Sequence, residues 1–314
     1  METLNENGND EVYSRNVAAG SYILANTLMK REDNDDRKQK MQRVLDRKET
    51  LLSETFGNDS MSGIGDVAQL LDPDLPTDDV KTYFIDLAFS NPFSPYELKY
   101  EDDDFRYALK QLSHYFDISE DEVERILDTK QDAIDAHNAY DWLKIVGYGA
   151  VGVVALGLGG YFLAPALGAA LGSAAGLAGA AATAHGLALL GGGSLAAGGA
   201  GMAGGLWLVT GTAAAMGGTA VGGGALLHQI GAAGARTELM KLQVTFKEVL
   251  LHNQVHGIKA QEAIKSLAED RDGLKQALEE ERELNEENAE RVTELEEKIE
   301  AFDNAIEWME GETA

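Results

Sequence analysis

The sequence contains no cysteine and only five prolines among its 314 residues. Without cysteine the chain can form neither a disulfide framework nor a thiolate metal site, and a cytosolic environment is compatible with it. The low proline content, together with the few stretches in which polar and apolar residues alternate, predicts an all-α fold. The chain also lacks a Walker loop, a zinc signature and a nucleophile motif, so we expect no cofactor, no metal site and no enzyme activity.

Basic residues are scarce. The chain has 26 Lys and Arg against 53 Asp and Glu, a net charge of −27. Residues 1–144 carry 16 basic and 32 acidic side chains, and residues 236–314 carry 10 and 21, so the net charges of −16 and −11 sum to that total. Such acidity repels nucleic acid and anionic lipid head groups, which excludes DNA binding and a polybasic membrane clamp. It leaves the acidic helical arms as a candidate surface for a protein partner.

Charge is absent altogether from the 91 residues between Ile145 and Ala235, which we call the apolar run. The run holds 27 of the 35 glycines, and Ala and Leu supply most of the rest. Such a segment must lie in a lipid bilayer or be wrapped closely by protein. Because a transmembrane helix needs about 20 apolar residues, residues 143–235 have room for two spans with long connections or for four short ones. We favour four, because glycine-rich helices insert poorly unless neighbouring helices pack on them.

The residues that flank the run predict its topology. Trp142 and Lys144 precede it, and Arg236 follows it, as is typical of interface anchors. A tryptophan that covers a soluble core is the other interpretation of Trp142. The positive-inside rule applied to these flanks places both termini in the cytoplasm of a protein of the cell (inner) membrane, with an even number of crossings. The alternative localisation is a cytoplasmic protein that is recruited to the membrane.

Glycines four residues apart recur within the run. Gly168, Gly172 and Gly176 form a GxxxGxxxG strip on one helix face. Without side chains there, two helix backbones can approach closely, which is how helices associate in lipid. The sequence therefore predicts a glycine zipper and a homo-oligomer. The same spacing recurs at Gly201 with Gly205 and at Gly218 with Gly222.

Two helical regions are predicted before the run. Residues 1–56 form a helical N-terminal arm, in which the charged residues 30–40 are either a solvated helix face or a break between two helices. Residues 66–142 form a small helical domain with helices over 78–88 and 103–116 and a third from Glu120, where Ser119 and Glu122 fit a capping box. The predicted core of this domain is Leu71, Tyr83, Phe84, Leu87, Phe89, Leu109, Leu112, Tyr115, Phe116, Val123 and Ile126.

Residues 236–314 contain no proline and predict one long amphipathic helix. A heptad register fits its second half, although Arg271, Glu281, Asn285 and Asn288 interrupt the seam. The unbroken part of the predicted coiled-coil seam is Val292, Leu295, Ile299, Phe302, Ile306 and Met309. A helix that packs on its own chain is the alternative.

Two further motifs carry little functional weight. Gly147, Gly149 and Gly152 match GxGxxG, but no acidic residue follows before Glu238, so we reject a dinucleotide site. His252 and His256 share a helix face with Glu248, and we interpret that face as solvated rather than as a metal site. His185 and His228 lie inside the run, where an ionisable residue is a functional candidate and a neutral imidazole bonded to a neighbouring carbonyl is the simpler interpretation.

The stretch from His185 to Gly205, HGLALLGGGSLAAGGAGMAGG, resembles a Gly/Ala-rich segment, GGGSLAAGGxGMxGG, of bacterial proteins that are poorly characterised. The region of resemblance corresponds roughly to the apolar run and does not include the helical regions on either side. It implies a bacterial membrane-active helical protein, such as an effector that permeabilises its own cell's membrane in defence. The order of helices, apolar hairpin and long helix is also similar to that of α-helical pore-forming toxins, although this chain departs from secreted toxins in lacking an N-terminal signal sequence.

Three hypotheses follow. The chain is an integral membrane protein that assembles into an oligomeric pore or channel in the bilayer, or it is a soluble helical bundle that shelters the apolar hairpin until it is triggered. The third hypothesis is a membrane-anchored coiled-coil scaffold that binds a partner protein and conducts nothing.

Overall fold

The computed structural model of the chain describes residues 6–56, 63–74, 77–93, 96, 98–138, 232–251, 257–284 and 289–314. Within these ranges every regular element is a helix and none is a strand, which confirms the all-α prediction. The helices are α1 (Glu6–Arg31), α2 (Asp35–Phe56), α3 (Ile64–Ala68), α4 (Thr77–Ala88), α5 (Asp102–Ser113), α6 (Glu120–Ala136), α7 (Ala232–Thr245), α8 (Gly257–Leu284) and α9 (Ala289–Thr313). A π-helical turn, Phe246–Leu251, follows α7.

The charged stretch between α1 and α2 is a break between two helices. α1 ends at Arg31, and α2 begins at Asp35. Asn34 supplies the cap, because its Oδ1 accepts the backbone N–H of Arg37 at 3.0 Å. The break turns α2 back to pack against α1.

Helices α1 to α6 share one apolar core, the first core. Residues of the predicted arm, such as Leu24 and Leu45, lie in the same cluster as Phe84 and Leu112 of the predicted small domain. The two predicted units therefore form a single lobe. Gly20 allows α1 to approach α4, because a Cβ at this position would collide with the Tyr83 hydroxyl.

The predicted core of residues 66–142 is buried with one exception. Tyr115 is 41% exposed, whereas Phe116 beside it is 8% exposed. The prediction of a buried Tyr115 is wrong because α5 ends at Ser113, so the helical period that would have placed Tyr115 inward no longer applies. The capping box at the start of α6 is confirmed, since Glu122 N–H donates to Ser119 Oγ at 3.2 Å and Ser119 N–H donates to Glu122 Oε2 at 3.0 Å.

The C-terminal region is a helical hairpin instead of one long helix. Arg271 of α8 contacts Asp303 of α9 at 3.2 Å, although in a continuous helix these residues would lie about 48 Å apart. Arg282 pairs with Glu296, so the contacts converge toward the connection between the helices, and α8 and α9 are antiparallel. The prediction of one helix is wrong for a physical reason: folding back buries the apolar seam within the same chain.

The seam residues face this hairpin's own core. Leu295, Phe302, Ile306 and Met309 are buried, and Val292 and Ile299 are partly buried against them. This second core also contains residues of α7, the π-helical turn and α8. Lys298 is fully buried there, and its Nζ lies 2.8 Å from Glu294 Oε1.

Phe302→Ala tests the second core. Phe302 is 0% exposed, and truncating such a residue to alanine typically costs about 3–5 kcal/mol. We expect a loss of that size in the free energy of unfolding, measured by urea denaturation of the full chain. Glu297→Ala on the exposed face of the same helix is the control and should change stability little. Equal effects of the two substitutions would contradict the intramolecular core.

Candidate functional site at the junction of the apolar run

Most of the residues predicted to act in the membrane lie outside the described residues. These are the anchors Trp142 and Lys144 and the glycines Gly168, Gly172, Gly176, Gly201, Gly205, Gly218 and Gly222. The third anchor, Arg236, lies in the first turns of α7 and is partly buried. The structure therefore describes the helix before the run, α6, and the helix at its end, α7. The region where these two helices pack together is the candidate site.

Helices α6 and α7 form an antiparallel pair. Near the start of α6, Arg125 Nε lies 3.7 Å from Glu248 Oε2 in the π-helical turn, and Thr129 Oγ1 donates to Glu248 Oε1 at 2.7 Å. At the end of α6, His137 Nε2 lies 2.8 Å from Gln243 Oε1, closer to the start of α7. As α6 advances, its partners therefore run backward along the chain. The end of α6 therefore lies beside Gln243, and α7 extends about 17 Å from there to its first residue, Ala232.

His137 closes α6 and joins it to α7. The residue caps the helix, and Asn138 after it has a positive φ of 50°, a conformation that asparagine tolerates at helix ends. His137 is 4% exposed, and its Nε2–H donates to Gln243 Oε1. Burial lowers the pKa of His137 to about 4, helped by the charge of Arg236 and opposed by the bond to Gln243. The ring is therefore neutral at physiological pH.

A lysine between two carboxylates joins α7 to α4. Lys241 Nζ lies 3.4 Å from Asp86 Oδ1 and 3.3 Å from Glu238 Oε1. Lys241 and Asp86 are 5% and 4% exposed. Burial raises the pKa of Glu238. Burial alone would lower the pKa of Lys241, but the two carboxylates beside it raise that pKa overall. Since a buried charge without a partner is costly, this triad fixes α7 against α4.

Glu248 is a residue of this site that sequence reasoning placed wrongly. It is 3% exposed, so the interpretation of Glu248 as part of a solvated face is wrong. Its carboxylate is held by Thr129 and Arg125, and its backbone carbonyl accepts Lys81 Nζ at 3.3 Å. No sequence signal identified it, because its partners lie more than a hundred residues earlier in the chain. The other two members of the histidine motif, His252 and His256, lie outside the described residues, and no group of three metal-ligating side chains occurs among the residues that are described.

The π-helical turn explains how α7 serves two cores at once. Met240, Val244 and Val249 face the first core, whereas Phe246 and Leu250 face the second. In a regular α-helix, at about 100° per residue, Val249 would lie on the opposite side from Met240. The wider turn, with i→i+5 hydrogen bonds, rotates less per residue and returns Val249 to the first core.

Two further lysines, the buried Lys130 and the partly buried Lys48, have lowered pKa values. Burial lowers the pKa values of Lys48 and Lys130 to about 7. Lys130 Nζ donates to the Ala88 carbonyl at the end of α4 at 2.8 Å, and Lys48 Nζ donates to Ser21 Oγ at 2.5 Å. A serine beside a lysine is a nucleophile–base pair in some hydrolases. Ser21 is 0% exposed, however, so the pair acts as a bond between α1 and α2 in this structure.

The neutral His137 makes a pH-dependent contribution to stability. Because its folded-state pKa of about 4 lies below the usual 6.5, the unfolded chain takes up a proton first as pH falls. Stability is therefore lost between pH 6.5 and 4, by about 3 kcal/mol in all. We expect wild type to lose that much more than His137→Gln between pH 7 and 4 in urea denaturation. His114→Gln, at a ring that is 58% exposed, is the control and should follow wild type. Parallel stability curves for all three proteins would contradict the neutral, buried imidazole.

Comparison with known proteins adds no relative. The chain matches no family model, no curated protein and no solved structure. Among the described helices, none is both long enough and apolar enough to cross a bilayer.

Proposed function

We propose that this chain is a membrane-inserting helical protein of the pore-forming or membrane-perturbing class, in which the apolar run enters the bilayer and the acidic helical body remains outside it. The observation that supports the proposal most directly is the antiparallel pairing of α6 and α7. It places the residues that precede the uncharged run and those that follow it in one folded body.

This geometry bears on the number of crossings. If the run crosses the membrane while His137 and Gln243 stay in contact, both of its ends must lie on the same side. An even number of crossings then follows, with both termini on that side. The positive-inside rule, applied to Lys144 and Arg236, assigns that side to the cytoplasm. Lys241, a further cation after the run, contributes little to that rule, because Asp86 and Glu238 neutralise its charge within the body.

The charge of the body supports the same arrangement. The residues on either side of the run are strongly acidic, with net charges of −16 and −11, and carboxylates are expensive to bury in hydrocarbon. The body therefore remains in water, while the uncharged run has no group that opposes insertion. The bilayer is the proposed partner, self-association through the glycine strip is the proposed route to an oligomer, and the acidic surface stays available to a protein partner.

Carbonate extraction of native membranes tests the proposal, with a deletion variant as its matched control. In the control a linker of ten Gly and Ser residues replaces residues 139–231. Ala232 lies about 17 Å along α7 from Gln243, and such a linker reaches up to about 33 Å. The full chain should stay in the pellet, and the control should appear in the supernatant with its helical content intact.

Two results would decide against the proposal. Extraction of the full chain together with the control would favour a soluble bundle that shelters the run. Resistance of the control to extraction would show that the body itself anchors the protein.

The glycine strip provides a test of pore formation. Gly172→Leu would insert a side chain where two backbones meet, and overpacking typically costs about 1–3 kcal/mol. We expect it to reduce dye release from phosphatidylcholine vesicles by about tenfold, since tenfold corresponds to about 1.4 kcal/mol. Gly172→Ala should be mild, and Ala174→Leu, off the strip, should be milder still. Equal release by all three variants would contradict a packing role, and no release by wild type would favour a non-conducting scaffold.

A further inference from the structure

The π-helical turn allows a specific movement of α7. A π turn contains one more residue per hydrogen-bonded ring than an α turn. Its conversion to α-helix, with the chain beyond Leu251 held in place, would move α7 by one residue toward its N-terminal end. The movement is a screw of about 1.5 Å along the axis and about 100° around it.

The apolar contacts of α7 are divided between the two cores. Met240 and Val244 face the first core, Ala235 and Leu239 face the second core, and Leu242 is partly buried against the second. Apolar side chains thus lie on several sides of the helix, and the helix is covered on several sides. A helix of this kind is held less firmly against rotation than one with a single apolar stripe.

Polar contacts do select a rotation. After a one-residue screw, Leu242 would replace Lys241 opposite Asp86, and Val244 would replace Gln243 opposite His137. Both polar contacts are buried, and a buried polar group placed against an apolar neighbour loses its hydrogen bond without regaining water. Fixing register is the best-attested role of buried polar groups in helical proteins.

We propose that the Asp86–Lys241 and His137–Gln243 contacts are register pins, which hold α7 against a one-residue screw. The π-helical turn supplies the extra residue that α7 would take up in this movement. The device sets the point at which the chain enters the folded body from the apolar run. It is a property of the body alone and stands whether or not the run enters a membrane.

The absence of cysteine from the chain makes a direct test possible. In the full chain, His137→Cys is combined with a single cysteine at 242, 243 or 244, and each pair is treated with a short bifunctional thiol reagent. The intramolecular product is quantified by mass spectrometry. With Asp86 and Lys241 intact, the pair with residue 243 should dominate. When Asp86→Leu and Lys241→Met remove the remaining pin, the ratio of the 244 product to the 243 product should rise at least tenfold.

Thr237→Val is the matched control. Thr237 is as buried as the pins, but its hydroxyl bonds the Ala233 carbonyl of its own helix, so its loss should leave the ratio unchanged. A reciprocal set keeps the test decisive if the first variant does not fold. In that set, His137→Phe and Gln243→Leu remove the other pin, and Asp86→Cys is paired with a cysteine at 240, 241 or 242. Here the 242 product should rise against the 241 product.

Unchanged ratios in folded pin variants would overturn the proposal and assign the register to apolar packing. Unfolding of both pin variants while Thr237→Val folds would overturn it too, because the contacts would then be needed for the fold itself. A rise in the control equal to that in the pin variants would show that any polar loss loosens α7.

Discussion

The antiparallel packing of α6 against α7 is the constraint on which the rest of the molecule depends. Helix α6 precedes an uncharged segment of 91 residues, and α7 begins at the last four residues of that segment. A hydrogen bond between His137 and Gln243 joins the end of α6 to α7. Had the two helices been parallel or unpaired, the run would separate the chain into two halves. Because they are paired, the halves form one body, and the run is an insertion into it.

Helix α7 is the element that connects the two cores. One side of it, with Met240 and Val244, completes the core that α1 to α6 build, and the other side, with Ala235 and Leu239, begins the core of the α8–α9 hairpin. Because two sides of α7 are buried, this helix does not have a single apolar face opposite a polar one. The structure supplements apolar packing with buried charge, and the polar groups of α7 find partners on α4 and α6. Such contacts contribute little net stability, since desolvation offsets most of their attraction, but they specify one arrangement.

The proposed membrane role joins these two features. An acidic body resists insertion, an uncharged run does not, and the junction between them is fastened by groups that lose their partners if the helices separate. In the proposed arrangement the body is the fixed base from which the run would enter the bilayer. The glycine strip and the resemblance of His185 to Gly205 to bacterial membrane-active segments concern the run itself, and the vesicle experiment addresses them.

The sequence by itself determined the local features of this protein. Helix content, the cap at Ser119, part of the first core and the boundaries of the uncharged run follow from periodicity, capping chemistry and composition, which act over a few residues. The sequence also identified the apolar seam from Val292 to Met309, but it left open what the seam packs against. Only the tertiary structure decided that α8 folds back on α9, that Glu248 and Lys298 are buried, and that α6 and α7 pack antiparallel. The physical reason is that each of these outcomes depends on contacts between residues distant in the chain, such as Glu248 with Thr129, and a local pattern carries no information about such partners.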